Sequence, residues 1–366
     1  ETSSRVSGSE IISSNSKTSY NGNYGLNASW TLYNGNKRLK TIQQEKLNNQ
    51  MAELDVATSE NNIQESIAQV YIQILYAAES VKVNENTLQV SIAQRDRGQE
   101  LLNAGSIAKS DLAQLEAQVS TDRYQLVTAQ ATLEDYKLQL KQLLELDGEN
   151  EMNIYLPALS DENVLAPLPT KRDVYISALS LRPEIEASKL NVEASELGIN
   201  IAKSSYFPTI SLSAGIGTNH TSGSDFTFGE QVKNGWNNSI GLSVSVPIFN
   251  NRQTKSAVQK AKLQYETSML SLLDEQKALY KTIESLWLDA NSAQQRYAAA
   301  NEKLKSTQIS YELISEQFNL GMKNTVELLT EKNNLLQAQQ EQLQAKYMAI
   351  LNTQLLKFYQ GDQLAL

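Results

Sequence analysis

An internal duplication constrains this chain more than any other feature of its sequence. The segment LNASWTLY at 26–33 is matched by LSVSVPIF at 242–249, which lies 216 residues further on. The offset continues far downstream, where it pairs Tyr71 with Trp287, Gly105 with Gly321, Asp111 with Glu327 and Leu112 with Leu328. An ungapped match of this length indicates two copies of one structural unit.

Each copy places a strand-like stretch before a long helical one. Within 241–251, apolar residues alternate with serine or proline, which is the period of a strand with one apolar face. Residues 36–104 contain no proline and a single glycine, Gly98, and their apolar residues recur at helical spacing. We therefore predict that each copy is a strand pair followed by a long coiled helical hairpin, with Gly105 or Gly321 at the hairpin turn.

This pattern divides the chain into six segments. They are a first strand pair at 1–35, a first hairpin at 36–146, a connection and helix at 147–206, a second strand pair at 207–250, a second hairpin at 251–359 and a C-terminal tail at 360–366. The first strand pair looks N-terminally incomplete, since the chain starts within a strand-like stretch at 1–13.

Finer boundaries also follow from local signals. Ser106 or Ser110 is expected to cap the second helix of the first hairpin, and Pro183 to sit in the first turn of a helix opened by LRPEI at 181–185. Strands are predicted over 24–33, 209–217 and 238–249, with a polar loop at 218–237.

Composition argues against several function classes. The net charge of −9 and the pI of about 5.0 disfavour a nucleic-acid partner, which needs basic clusters. The chain has no cysteine, so it cannot form a thiolate site, and the presence of a single histidine, His220, disfavours a histidine-based catalytic centre on composition alone. Glu184 and Glu186 are interpreted as solvated helix charges. We predict no catalytic, cofactor or metal site.

The strands point to a membrane. No stretch approaches the roughly 18 consecutive apolar residues of a transmembrane helix. The apolar strand faces, however, run about nine residues, which is the length of a tilted membrane strand. The opposite faces carry Ser, Thr, Asn and Gly, and the helices are too polar to cover the apolar side.

Because open sheet edges cannot exist in lipid, such strands must close into a barrel. Four strands per chain are too few, so closure needs several chains: two give a packed barrel, and three give room for a channel. The residues predicted to face lipid are Ile210, Leu212, Leu242, Val244, Val246 and Ile248. Trp30 and Tyr33 are expected either to anchor the barrel at the membrane interface or to pack at its junction with the helices.

Four motifs resemble the TolC-type outer-membrane efflux proteins over nearly the whole chain. They are LRPEI at 181–185, FPTISL at 207–212, VPIFN at 246–250 and FNLGMKNTVELL at 318–329, the last followed by LLQAQ. The resemblance implies a homotrimer in the outer membrane of a Gram-negative bacterium, with a twelve-stranded β-barrel on an α-helical periplasmic tunnel. It also implies that 147–168 and the tail after Tyr359 belong to an equatorial belt.

The resemblance further implies partners and a passive transport role. The chain would be the exit duct of a tripartite efflux or type I secretion system, joined to a periplasmic adaptor and an inner-membrane pump. The adaptor would contact the hairpin tips, at Gly105, Ser106, Ile107, Gly321, Met322 and Lys323.

A gate near the tips is expected as well. Asp111 and Lys323 lie just beyond the two turns, and the resemblance implies that they form an ion pair that closes the tunnel at rest. Phe318 stands where the family has a tyrosine, so a second hydrogen bond to Asp111 is lost. Glu327 and Thr330 match the two acidic positions of the family's constriction, of which only Glu327 keeps a carboxylate. The alternative function is a structural or adhesive coiled coil without channel activity.

Overall fold

The computed structural model describes residues 3–7, 10–14, 20–146, 154, 155, 157 and 164–364. Short strands and very long helices make up these ranges. In chain order they are β1 Ser3–Ser7, β2 Glu10–Ser14, β3 Asn21–Asn34, α1 Lys37–Asn103, α2 Lys109–Leu143, α3 Lys171–Leu181, α4 Pro183–Lys203, β4 Thr209–Thr221, α5 Phe228–Asn234, β5 Asn237–Ser245, α6 Gln253–Asn319 and α7 Thr325–Gln360. None of the helices in the described ranges is long and apolar enough to cross a membrane.

The duplication is visible in the backbone. Helices α1 and α6 are each 67 residues long, and their first residues, Lys37 and Gln253, stand at the same offset as their last. Residues with a left-handed backbone lie at the ends of the long helices in both copies and pair at this offset. The pairs are Gly35 with Asn251, Asn36 with Arg252, Gly105 with Gly321 and Glu145 with Gly361. The two copies therefore share helix starts, turns and ends.

Two compact units are present. The strand unit comprises Glu1–Asn49 and Leu190–Met269, and the helical unit comprises Gln50–Lys189 and Leu270–Leu366. In the strand unit, β3, β4 and β5 form one antiparallel sheet in that order, while β1 pairs with β2 in a separate two-stranded sheet. The pairing of β3 with β4 contains one irregularity, a bulge at Leu32.

The strands differ from the predicted ones at their ends. Strand β5 stops at Ser245, four residues before the predicted end at Phe249. Pro247 explains this, because proline lacks the N–H that would continue the ladder and restricts the residue before it. The polar loop predicted at 218–237 instead contains the end of β4 and the short helix α5. Within the strand predicted at 1–13, the described residues form two paired strands, β1 and β2, and residues 1, 2, 8 and 9 lie outside the described ranges.

Helix ends also correct two expectations. Neither Ser106 nor Ser110 caps α2, whose N-cap is Ala108. The helix predicted to open at 181–185 begins only at Pro183, and Arg182 before it has an extended backbone that separates it from α3. The cause is Pro183, which opens α4 as predicted and disfavours a helical conformation in the residue before it.

The helical unit is held by narrow apolar seams. One cluster joins α1, α6 and α7 through Ile72, Tyr297, Leu343 and Ile350. A second brings α3 and α4 against α6 and α7 and includes Val174, Ile185, Ile283 and Leu356. Three of the four α7 positions spaced by seven, Leu336, Leu343 and Ile350, are buried, as a coiled-coil seam requires.

Candidate functional site

The sheet of the strand unit has one continuous apolar face. Residues that pair across β3, β4 and β5 form rows, and the apolar residues of the three strands fall in the same rows. The rows are Tyr33–Ile210–Val244, Trp30–Leu212–Leu242, Ala28–Ala214–Ile240 and Leu26–Ile216–Asn238. Ile240 is 85% exposed and Leu26 73% exposed. A face of this size needs a cover, since soluble monomers rarely expose so large an apolar patch.

The other face of the same sheet is polar. Its rows include Thr31–Ser211–Ser243, Ser29–Ser213–Gly241 and Asn27–Gly215–Ser239. Hydroxyls on this face bond to neighbouring strands: Ser213 donates to the carbonyl of Gly241 (3.2 Å). The sheet thus separates an apolar side from a side suited to water.

Four of the six residues predicted to face lipid lie in these apolar rows: Ile210, Leu212, Leu242 and Val244. Val246 and Ile248 follow the end of β5 and are exposed, with Ile248 at 95%. Trp30 and Tyr33 also lie in the apolar rows, at the end of the sheet from which the chain continues into α1.

The two hairpin turns have identical backbone hydrogen bonds. Gly105 donates to the Leu102 carbonyl (2.9 Å) and Ser106 to the Leu101 carbonyl (2.8 Å). The second turn repeats this with Gly321 and Met322, at 2.9 and 2.8 Å. The positive φ of both glycines, 75° and 73°, is why glycine is favoured there.

The predicted gate carboxylates act first as helix caps. Asp111 accepts a hydrogen bond from the Ala108 N–H (3.0 Å), and Glu327 accepts one from the Asn324 N–H (3.2 Å). The Glu327 N–H in turn donates to the Asn324 side-chain oxygen (2.9 Å), which completes a capping box on α7. Ala108 has no side-chain acceptor, so α2 has only half of this arrangement.

Lys323, two residues before the start of α7, pairs with Glu327 in the first turn of that helix. The ammonium lies 2.5 Å from Glu327 Oε1. This contact, together with the Asn324 N–H, holds the pKa of Glu327 below its usual value. Phe318 is buried beside the turn, and Thr330 is exposed, with its hydroxyl donating to the Val326 carbonyl (2.7 Å).

A buried polar cluster links the two hairpins, and sequence analysis missed it. Lys332 on α7 contacts Asp122 on α2 and the hydroxyl of Ser91 on α1, while Ser91 also donates to Asp122. Gln118 donates to the other Asp122 oxygen (2.9 Å). The side chains of Lys332 and Asp122 are 4% and 1% exposed. Burial lowers the pKa of Lys332 although Asp122 opposes the shift.

A second buried charge lies where α3 meets α4. Arg182 pairs with Glu65 of α1 (3.1 Å) and with Glu184 (2.8 Å), and its guanidinium lies 4.1 Å from the centre of the Tyr359 ring. The interpretation of Glu184 as a solvated charge is therefore wrong, because the break before Pro183 turns Arg182 inward against it. Glu186 is half exposed and pairs with Lys189, as expected of a solvated helix charge.

Known proteins match this architecture in sequence. The profile of the family described as outer membrane efflux protein matches residues 1–145 and 174–361. The chain is 24% identical over 294 residues to the outer membrane efflux protein BepC of Brucella suis, covering 80% of this chain and 61% of that protein. It is 24% identical over 294 residues to TolC of Escherichia coli, covering 78% and 58%. The chain thus spans about three fifths of the length of these relatives.

Solved structures match as well. CusC superposes with a TM-score of 0.79 at 19% identity, covering 99% of this chain and 81% of that one. VceC of Vibrio cholerae gives 0.74 at 15% identity, covering 95% and 88%. This likeness confirms the predicted fold, in which barrel strands are joined to long hairpins of a helical tunnel.

These matches decide between the classes that the sequence left open. The family consists of channels rather than enzymes, and its place is the outer membrane, as the resemblance predicted. The profile covers both copies of the repeat, so the match does not rest on one motif. The chain belongs to the outer membrane efflux protein family.

Proposed function

We propose that this chain is the exit duct of a tripartite efflux or type I secretion system. Three copies would contribute four strands each to a twelve-stranded barrel: β3, β4 and β5, and a fourth from the segment before β3. The hairpins would form the periplasmic tunnel below the barrel. Substrates delivered by an inner-membrane pump through a periplasmic adaptor would pass through it passively.

The apolar face of the sheet carries this proposal. Lipid is the cover that fits a wide, exposed apolar face with a polar face behind it. Among the strands that the structure describes, β3 and β5 end the sheet, and lipid does not tolerate open edges. Further copies of the chain would satisfy both edges, and three copies leave a water-filled lumen lined by the Ser, Thr, Asn and Gly of the polar face.

The direct test is conductance. The full-length protein, purified from outer membranes in detergent, is expected to run as a trimer and to form discrete conducting events in planar lipid bilayers. A monomer without conductance would overturn the proposal.

The hairpin tips are the proposed contact with the adaptor. The second turn presents Met322, which is 71% exposed, next to the exposed Gly321. An apolar side chain at the end of a polar helical hairpin suits burial against a partner helix. Met322→Glu is expected to abolish export while trimer yield is unchanged, and Asn319→Glu, one residue before the turn, provides a matched charge control. Normal export by Met322→Glu would argue against contact at this turn.

The proposed gate is an exchange of partners by Lys323. Within one chain Lys323 pairs with Glu327, and in the closed trimer it would bond Asp111 of an adjacent hairpin. Both would be weak ion pairs screened by water, so an adaptor could shift the balance. Lys323→Glu is expected to raise resting conductance by repelling Asp111, and Lys323→Gln to raise it less. Equal conductance in all three proteins would place the gate elsewhere.

Glu327 is the proposed acidic ring of the constriction. Three copies would place three carboxylates around the pore, which favours cations and their block. Because Glu327 also caps α7, Glu327→Gln is the sharper test, since the amide keeps an acceptor for the Asn324 N–H. Both Glu327→Gln and Glu327→Ala are expected to reduce cation selectivity, and Thr330→Glu to increase it. If only Glu327→Ala has an effect, the carboxylate acts through the helix start and not as a ring.

A further inference from the structure

The segment between β4 and β5 folds back onto the sheet as the short helix α5. Thr227 and Glu230 fix its start, with the Thr227 N–H donating to Glu230 (2.8 Å). Two contacts tie α5 to the end of β4: Thr218 donates to the Val232 carbonyl (2.8 Å), and the Thr221 N–H donates to Gln231 (2.9 Å). This segment therefore has a defined place on the sheet.

That place is on the apolar side of the sheet. The rows continue past Leu26 and Ile216 with Tyr24 opposite Thr218 and with Gly22 opposite His220. Since side chains alternate along a strand, Tyr24 and His220 project from the same face as Leu26. The Phe228 ring of α5 packs edge-on against Tyr24, at 6.3 Å between centroids, and lies 5.0 Å from His220.

The same end of the sheet carries a concentration of exposed aromatic side chains. All are about half exposed or more, and three of them flank or begin α5: Tyr20, Tyr24, Phe226, Phe228 and Trp236. The helices α1, α4 and α6 all connect to the opposite end of the sheet, so this end carries no connection to a long helix.

We infer that α5 and these aromatic residues, together the aromatic collar, bind the headgroup region of the outer leaflet of the outer membrane. The inference rests on the proposed function, because it takes the apolar face as the lipid face. The collar continues that face without a gap, and aromatic rings are the side chains that favour the interface between hydrocarbon and water. Its function is to fix how deeply the barrel sits in the membrane.

The dimensions agree with this assignment. From Ile210, in the row of Tyr33, to Thr218, in the row of Tyr24, the strand rises about 26 Å at about 3.3 Å per residue. A tilt of about 40° reduces this to about 20 Å, close to the apolar band of about 25 Å in outer-membrane barrels. Tyr33 and the aromatic collar then mark the two boundaries of the band.

Tryptophan fluorescence tests the collar directly, since Trp236 belongs to it and the chain has two other tryptophans, Trp30 and Trp287. The full-length protein with Trp30→Phe and Trp287→Phe is reconstituted into vesicles that contain lipids brominated either near the headgroup or near the chain end. Trp236 is expected to lose more fluorescence with the shallow bromine. Stronger loss with the deep bromine would overturn the interfacial position.

Two reference proteins show whether a negative result contradicts the interfacial collar or the assignment of the lipid face. A protein with Ile240→Trp as its single tryptophan reports the middle row of the apolar face and is expected to lose more fluorescence with the deep bromine. A protein with Trp287 alone, in α6, is expected to respond to neither lipid. If the Ile240→Trp reference is not quenched, the lipid face itself is wrong. If it is quenched and Trp236 responds only to iodide in the water, the segment is a lid over the channel mouth and the collar is wrong.

A second probe covers the case in which the tryptophan variants do not assemble. The chain contains no cysteine, so Phe226→Cys can carry one fluorophore in an otherwise unchanged protein. Its emission is expected to shift to the blue on reconstitution and to be quenched by the shallow bromine. An unshifted, unquenched probe on assembled protein would overturn the inference.

Discussion

Breaking the buried pair of Lys332 and Asp122 is expected to be among the most damaging changes outside the pore. The pair joins α7 to α2 and, through Ser91, to α1, so it holds the second hairpin against the first. We consider Lys332→Met, Asp122→Leu and the double variant. Methionine and leucine fill much of the same volume without a charge.

The magnitudes follow from what each change leaves behind. Removing one partner of a buried pair costs about 3–5 kcal/mol of unfolding free energy, because the other charge stays buried. Lys332→Met leaves Asp122 with donors from Ser91 and Gln118, so its cost should lie near 3 kcal/mol. Asp122→Leu leaves Lys332 with the Ser91 hydroxyl, so its cost should lie near 5 kcal/mol. The double variant buries no charge and should be within about 1 kcal/mol of the natural protein.

The assay is a double-mutant cycle on detergent-solubilised protein. Far-UV circular dichroism follows loss of the helices with guanidinium, and the four proteins are compared under one condition. The two single variants should be strongly non-additive, with a coupling of several kcal/mol. Additive costs, or a double variant as unstable as Asp122→Leu, would refute the reasoning and show that the pair is not desolvated in the assembled protein.

Three further predictions follow from single positions. Leu242→Arg on the apolar face should cost about 2–4 kcal/mol of barrel stability, whereas Ser243→Arg on the polar face should assemble normally; equal defects in a heat-dissociation gel would contradict the barrel. Glu145 has a left-handed backbone (φ 51°) where the second copy has Gly361, so Glu145→Gly should raise the unfolding free energy by about 1 kcal/mol. Burial and the nearby Glu65 raise the pKa of Tyr359 to about 12. Since the unfolded phenol ionises near pH 10, the contribution of Tyr359 to stability should fall by about 2–3 kcal/mol between pH 10 and 12, and Tyr359→Phe should reduce the alkaline loss of stability by that amount in unfolding curves.

The helical hairpins could be predicted because the sequence signals that define them are local and occur in both copies. Gly105 and Gly321 end helices in the same left-handed conformation, and long stretches without proline leave nothing to stop the helices between. Lys37 and Asn103, the ends of α1, lie within one residue of the predicted bounds. The signals for helix ends are short-range, so no tertiary contact was needed to find them.

The strand ends and α5 were harder to predict from the sequence. Alternation continues through Val246 and Ile248, but Pro247 interrupts the ladder of hydrogen bonds, and the pattern of apolar residues does not record that. Helix α5 is seven residues long, too short to form from its own propensity. Its place depends on Phe228 packing against Tyr24, two residues that lie far apart in sequence.

The buried pair did leave a signal in the sequence. Leu112, Leu115 and Val119 form a seam on α2, and Asp122 takes the next seam position. On α7, Lys332 stands between Leu328 and Leu335 in the same spacing. Opposite charges at seam positions of two helices indicate a buried pair. A comparison of the two copies does not reveal this pair. The residue of the first copy that corresponds to Lys332 is Glu116, which is exposed.

Another sequence difference between the two copies bears on the proposed gate. The two turns share one backbone, yet Ile107 in the first copy stands where the second has Lys323. The charge pair of Lys323 with Glu327 therefore has no equivalent at the first turn, where Asp111 keeps only its capping bond to Ala108. Each chain then brings Lys323 and two capping carboxylates, Asp111 and Glu327, to the hairpin tips. Because a cap needs only one carboxylate oxygen, the second oxygen of Asp111 can accept Lys323 without loss of the helix start. In the proposed gate, this ion pair would form and break while Asp111 and Glu327 keep their capping bonds, as a reversible closure requires.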